Sequence, residues 1–246
     1  MVDIGGTTTD IGLLVGGFPR ESAGEVTVAG VRTNFRMPDV LSIGIGGGSL
    51  VDPVTGEVGP ASVGYRLTTE ALVFGGSTLT ATDVAVAAGR AQVGDPAAVA
   101  HLDPEFVTRV LGRIADRVAE AVDQMRTSAD PIAIVAVGGG SILLPDELPM
   151  FGTVNRPGNY AVANAIGASI AQVSGEIDKV YAVTPGERDA LIAAVRAEAV
   201  DKAIAAGAVP GSVEIIDFDE VPIPYLPGNA SRIRVKAVGD LMEAQR

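Results

Sequence analysis

The chain has 246 residues, of which 47% are hydrophobic and 20% charged, enough apolar material for a substantial core and too much for a disordered chain. Thirty acidic against eighteen basic residues leave a formal net charge of −12, which disfavours nucleic acid and anionic membrane surfaces as partners of the chain as a whole. With no cysteine, disulfides, thiolate nucleophiles and cysteine-ligated metals are excluded.

Met1 is followed at once by an acidic, Gly-rich and Thr-rich segment rather than a signal-peptide pattern, and no uncharged apolar run is long enough to span a bilayer. A soluble, cytoplasmic protein is expected. Residues 1–17 read as strand, tight glycine turn, strand. Only Met1 and Val2 precede Asp3, where a core strand usually runs for about five or six residues. This predicts a fragment, or a chain that depends on a missing N-terminal piece.

In chain order, residues 11–15 form an apolar strand with a turn at Gly16 and Gly17, and residues 26–28 and 40–45 are further strand candidates. Residues 34–39 read as loop, stopped by Pro38. A hairpin turns at residues 52–56, and residues 59–66 read as loop. Thr80 or Thr82 can cap a helix over 83–92. Asp103, with Pro104 and Glu105 behind it, opens the next one. There Val107, Val110, Leu111, Ile114, Val118, Val122 and Met125 recur at spacings of three and four, as the buried stripe of a surface helix does. The β-branched run 132–137 fits a buried parallel strand.

Beyond it, residues 159–174 read as an Ala-rich helix closed by Gly175, with Asn164 as a buried amide, and residues 177–183 as a strand. Thr184-Pro185-Gly186-Glu187 reads as a helix start, and that helix ends at Gly207. Strands follow over 213–218 and 232–238. The second alternates Arg232, Arg234 and Lys236 with apolar residues, as a sheet with one wet face does. The order indicates an α/β class, divided as residues 1–175 and a small α+β extension over 176–246.

Three Gly-rich clusters carry the functional signal. In the first, Asp3-Ile4-Gly5-Gly6-Thr7-Thr8-Thr9-Asp10, glycines after a strand let backbone N–H groups face a phosphate while the threonines add hydroxyl donors. Asp3, at the strand end, is suited to hold hydrated Mg²⁺ or to orient a water, and Asp10 is a further candidate for the same tasks. The second cluster includes Gly46, Gly47, Gly48 and Ser49. The third, Gly138, Gly139, Gly140 and Ser141, follows the buried strand and suits close approach by adenosine or its phosphates. None is a P-loop or a dinucleotide fingerprint. His101, the single histidine, reads as an exposed loop residue, and Asp83 as either a helix N-terminal carboxylate or a cleft residue.

"DIGGTTTDIG" resembles the second phosphate-binding segment of the actin/hexokinase/Hsp70-type ATPases, and "IVAVGGGS" resembles their adenosine-binding segment. Together with "SIGIGGGSLVDPVTGEVGPASVG", "TLTATDVAVAAGR", "NYAVANAIGASIAQVSG" and "VPIPYLPGNASRIRVKAVGDL", these stretches resemble the A-type subunit of the hydantoinase/oxoprolinase family from residue 3 to residue 241. That resemblance implies a ribonuclease H-like, actin-like ATPase domain and ATP-dependent hydrolysis of a small cyclic amide with Mg²⁺. It assigns Gly5, Gly6, Thr7 and Thr8 to the phosphates, Gly138 to Ser141 to the adenosine side, and Asp3 to metal or water. Gly46 to Ser49 are expected beside the cofactor, near a domain interface. An N-terminal half-domain and a B-type subunit are the implied partners, with oligomerisation left open. The family's "GPESAGAxPGPACYG" stretch is altered here to Gly59-Pro60-Ala61-Ser62-Val63-Gly64-Tyr65-Arg66, which bears on the substrate class. An ATP-dependent carboxylase or activator subunit, and a non-catalytic nucleotide-binding or assembly module, are the alternative readings.

Overall fold

The computed structural model describes the chain except residues 16, 23–25, 29–30, 34–36, 171, 185, 227–228 and 243–246. Parts of the expected turn at Gly16, loop 34–39 and helix start at Pro185 therefore lie outside the described residues. The chain divides into two units, Met1–Ala163 and Asn164–Arg246. The division falls ahead of the boundary expected at 175.

The first unit is built on a six-stranded mixed sheet in the order Glu147–Leu148, Gly152–Asn155, Ile134–Val137, Val2–Ile4, Thr9–Gly12, Val40–Ile43. Ile134–Val137 runs parallel to both Val2–Ile4 and Gly152–Asn155, and the remaining neighbours are antiparallel. Strand alternation explains the two faces. Val2, Ile4 and Ile11 are buried in the core, and Asp3 and Asp10 therefore stand on the opposite face. The 11–15 strand of the sequence reading is in fact two pieces, Thr9–Gly12 in the sheet and Leu14–Val15 in a hairpin with Phe18–Pro19. The strand at Val26–Val28 forms as expected and pairs with Val31–Thr33.

The amphipathic helix forms over Pro104–Met125. The Asp103 carboxylate accepts from the Phe106 N–H at 3.1 Å and caps it. Its buried stripe joins Val2, Ile4, Ile11 and Ile134 in one core. From the same helix, Arg113 donates to the Thr55 carbonyl and Arg117 to the Val58 carbonyl, anchoring the hairpin of Ser49–Val51 and Val58–Ser62. Asp52 makes the turn of that hairpin by accepting from the Val54 and Thr55 N–H groups, which hold its carboxyl below the usual range. Part of the expected loop 59–66 is thus strand, followed by a short 3-10 turn at Gly64–Arg66.

The second unit has a three-stranded antiparallel sheet in the order Gln172–Ala182, Ala230–Asp240, Glu214–Pro222, with the Arg188–Ala205 helix against one face. Residues 159–174 are not one helix: a 3-10 turn at Tyr160–Val162 leads into a helix over Ala163–Ser169, and Asn164 is exposed rather than buried. The strand begins at Gln172 because it pairs along its length with Ala230–Asp240, and that gain overrides local helix propensity. Gly175 is not a helix terminator. It is a strand residue whose added Cβ would stand 2.2 Å from the Ala199 carbonyl oxygen, so the helix lies directly on it. The later helix starts at Arg188, and Glu187 in the flanking position makes no side-chain cap.

The wet face of this sheet is a set of cross-strand ion pairs. Arg232 donates to Asp178 and Arg234 to Asp217, so the basic middle strand is neutralised by its acidic neighbours. Replacing Gly175 with alanine is expected to lower the stability of this unit by about 2 kcal/mol, since helix and sheet must separate to admit the methyl group. Urea unfolding of the variant and the parent reads the difference directly.

Candidate functional site

The first two Gly clusters meet through backbone hydrogen bonds. Gly5 to Thr8 form the turn between two antiparallel strands, closed by the Gly5 N–H to the Thr8 carbonyl at 2.9 Å. Gly47 and Gly48 donate their N–H groups to the carbonyls of Gly5 and Gly6 at 2.9 and 2.7 Å. The Gly46 N–H goes to the Ser49 hydroxyl, and the Ser49 N–H to the Gly46 carbonyl. A Cβ on Gly46 would stand 2.5 Å from the Thr7 nitrogen, so only glycine allows this approach.

Gly46, Gly47, Gly48 and Ser49 are the residues expected beside the cofactor. All four are buried and their N–H groups are used within the protein. They form a brace for the turn. Further bonds hold the brace in turn. Thr82 donates both its N–H and its hydroxyl to the Gly47 carbonyl, and Thr9 donates its hydroxyl to the Ile45 carbonyl.

Thr80, not Thr82, caps the helix over Ala81–Ala87. Asp83 completes a capping box and also accepts from the Val73 N–H at 2.8 Å. It is fully buried, and so belongs to the scaffold beneath the site. His101 is exposed in a turn, as expected.

The third cluster lies beside the first. Val2–Ile4 and Ile134–Val137 are parallel neighbours, so their C-terminal ends open at the same edge of the sheet. Gly138 has φ 84°, and a Cβ there would stand 2.3 Å from the Ile4 carbonyl oxygen and 2.5 Å from Asp3 Oδ1. Gly140 is packed as closely on Gly5. Two glycines lack any such internal reason. Gly6 and Gly139 are exposed, with nothing within 4 Å of an added Cβ, so a side chain there would enter open space.

The groups facing that space fit an anion held with a cation. Gly6, Thr7 and Thr8 are exposed at the turn. Asp3 and Asp10 are directly opposite each other across the strand pair, an arrangement of like charges that a cation would relieve. Ser42 donates its hydroxyl to Asp10, but Asp3 has no hydrogen-bond partner among the described residues. The Ser141 hydroxyl is buried without a partner, an orphan that a ligand could satisfy. Among the described residues no group of three His, Cys, Asp or Glu side chains converges as a metal cage, so a metal ion would need ligand oxygens and water as well.

A family model described as hydantoinase/oxoprolinase matches residues 1–133. The chain belongs to the hydantoinase/oxoprolinase family. That match takes in the Asp3-to-Asp10 turn, its Gly46-to-Ser49 brace and the Asp83 capping box, while Gly138 to Ser141 lie just beyond it. The mixed α/β fold is similar to that of acetone carboxylase in a nucleotide-free structure, solved to address ATP-dependent acetone carboxylation. The TM-score is 0.65 at 17% identity over 98% of this chain. It is also similar to an ATP-dependent caprolactamase from Pseudomonas jessenii, with a TM-score of 0.61 at 16% identity over 100% of this chain. This chain spans 46% of each of those two chains. No curated protein matches it in sequence. Among the described residues no helix is long and apolar enough to cross a membrane.

Two arginines escaped the sequence reading. Arg90 and Arg156 line one cavity with Tyr160, and isolated basic residues separated by 66 positions carry no motif that would have paired them.

Proposed function

We propose that this chain supplies one wall of the ATP site of an ATP-dependent cyclic-amide hydrolase, with the phosphates at Gly5, Gly6, Thr7 and Thr8 and the adenosine side at Gly138 to Ser141. The observation that carries this reading is the convergence of two glycine turns at the ends of parallel strands, with the unpartnered Asp3 carboxylate between them. A central sheet in which parallel strands sit beside an antiparallel strand pair supports reading the first unit as a ribonuclease H-like, actin-like ATPase domain.

The chemistry asked of such a site is activation of a poor electrophile. Transfer of the γ-phosphoryl group to the amide oxygen, with release of ADP, weakens the C–N bond. Attack by one water then expels the ring nitrogen and opens the ring to an acyl phosphate, and a second water releases phosphate from it and leaves a carboxylate. The protein's part is to position the phosphates and stabilise spreading charge. Threonine hydroxyls and turn N–H groups donate to phosphate oxygens. Asp3 would hold Mg²⁺ through water or orient the attacking water, and Mg²⁺ would supply neutralisation of the phosphate charge. A preceding half-domain would close the site from the other side, and a B-type subunit is the further partner in this reading.

Steady-state ADP release is the test, measured on the chain joined to that half-domain. It is expected to rise with a hydantoin or 5-oxoproline and to ignore a ketone with bicarbonate. The opposite dependence would move the assignment to a carboxylase.

A further inference from the structure

The first unit contains a cavity of about 470 Å³ lined by Gly89, Arg90, Ile142, Leu144, Asp146, Arg156 and Tyr160, among others. Its chemistry differs from that of the paired aspartates at the glycine turns. Arg156 is fixed from behind, donating to the carbonyls of Leu144 and Pro145 at 2.8 and 3.2 Å and to Asp146 at 3.0 Å. Arg90 uses one guanidinium nitrogen on the Leu143 carbonyl at 2.8 Å, and no carboxylate pairs with it among the described residues. Partial burial, and then the Arg156 charge, hold the Arg90 guanidinium below its usual range, while Asp146 acts weakly the other way. That carboxylate cannot offset two cations well, because its side chain is 99% exposed.

Two guanidinium groups facing one cavity in a chain of net charge −12 are an arrangement that needs a counter-charge. We propose that this cavity is an oxyanion site that takes a phosphate or carboxylate group between Arg90 and Arg156. Planar guanidinium forks match the oxygen spacing of both groups, and each new N–H···O⁻ bond would replace like-charge repulsion with attraction. The floor of Ile142 and Leu144 gives the site an apolar side, which suits an anion carried on a small organic skeleton as well as the free ion. The site also touches the third glycine cluster, since the Tyr160 carbonyl accepts the Gly138 N–H at 2.8 Å and Arg156 braces the chain just after Ser141. The inference does not rest on the ATP reading, because neither Asp3 nor Thr7 lines the cavity.

Titration of the chain with sodium phosphate and, separately, with sodium succinate, followed by the amide resonances of Tyr160 and Ile142, tests it at constant ionic strength. At least one anion is expected to give saturable shifts, and the anion that does so identifies the source. In Arg90→Gln, which removes one cation but keeps the Arg156 brace, binding is expected to weaken about tenfold, the worth of one charge-assisted hydrogen bond, and Arg90→Lys should recover part of it. Asp3→Ala should leave these shifts in place, separating this site from the glycine turns. Shifts that do not saturate with either anion, or that are equal in the parent and Arg90→Gln, would overturn the proposal. An unchanged amide spectrum in the free variant would exclude misfolding as the cause of any loss.

Discussion

Gly46→Ala is expected to cost about 3 kcal/mol of stability and to weaken nucleotide binding together with it. The added methyl group would meet the Thr7 nitrogen at 2.5 Å and the Gly6 and Thr7 carbonyl carbons at 2.6 and 2.7 Å. These are backbone atoms in a turn that is closed on itself and bonded to Gly47 and Gly48, so no rotamer change can relieve the contact. Either the turn or its brace must move, and movement breaks the two N–H bonds that Gly5 and Gly6 accept. Thermal unfolding reads the first effect and ATP titration the second. A variant as stable as the parent would show that the brace and turn are less tightly coupled than these contacts require.

Removal of the Asp83 carboxylate should be comparably severe. In Asp83→Ala the Val73 N–H, the Thr80 N–H and the Thr80 hydroxyl lose their acceptor inside a site where Thr80 and Asp83 are 0% and Val73 1% exposed. Unpaired buried donors at about 1 to 3 kcal/mol each, together with loss of the helix cap, predict a loss of about 3 kcal/mol or more. Asp83→Asn is informative because it is nearly isosteric. Oδ1 accepts from Val73 and Oδ2 from Thr80, whereas an amide offers one acceptor oxygen, so either orientation sets an NH₂ against a donor. Asparagine is therefore expected to destabilise as well, by roughly half as much. Guanidinium unfolding of both variants checks the order. A stable Asp83→Asn chain with abolished turnover would instead place Asp83 in the chemistry.

These two predictions rest on contacts that the sequence reading did not contain, for a physical reason. What was legible was local. Asp103 with Pro104 marked the helix start, the spacing of apolar residues marked its buried stripe, and the β-branched run marked the parallel strand that ends at Gly138. The glycine turn with its flanking aspartates was visible because its pieces are consecutive. Long-range pairing was not. The Gly46-to-Ser49 cluster looks as suitable for phosphate as the first cluster, and only the N–H bonds to Gly5 and Gly6, some forty positions earlier in the chain, show that its donors are already used.

Gly175 illustrates the same limit. After an Ala-rich run, glycine reads as a helix terminator, yet here it serves the close approach of Ala199 and Ala203 on a helix that begins further along the chain. Residues 159–174 have the composition of a helix, but the segment from Gln172 gains more from pairing with Ala230–Asp240. Arg90 and Arg156 carry no signal until the fold brings them to one cavity.

The Asp3 end of the first strand and the two glycine turns beside it are proposed to form part of a nucleotide site. Calorimetric titration of the chain with ATP and Mg²⁺, against its Asp3→Ala form, tests this most directly. Saturable binding is expected, weakening about tenfold or more in the variant, the loss that follows when a carboxylate that helps to hold the cation is removed. Equal binding by the two forms, or binding by neither, would contradict it.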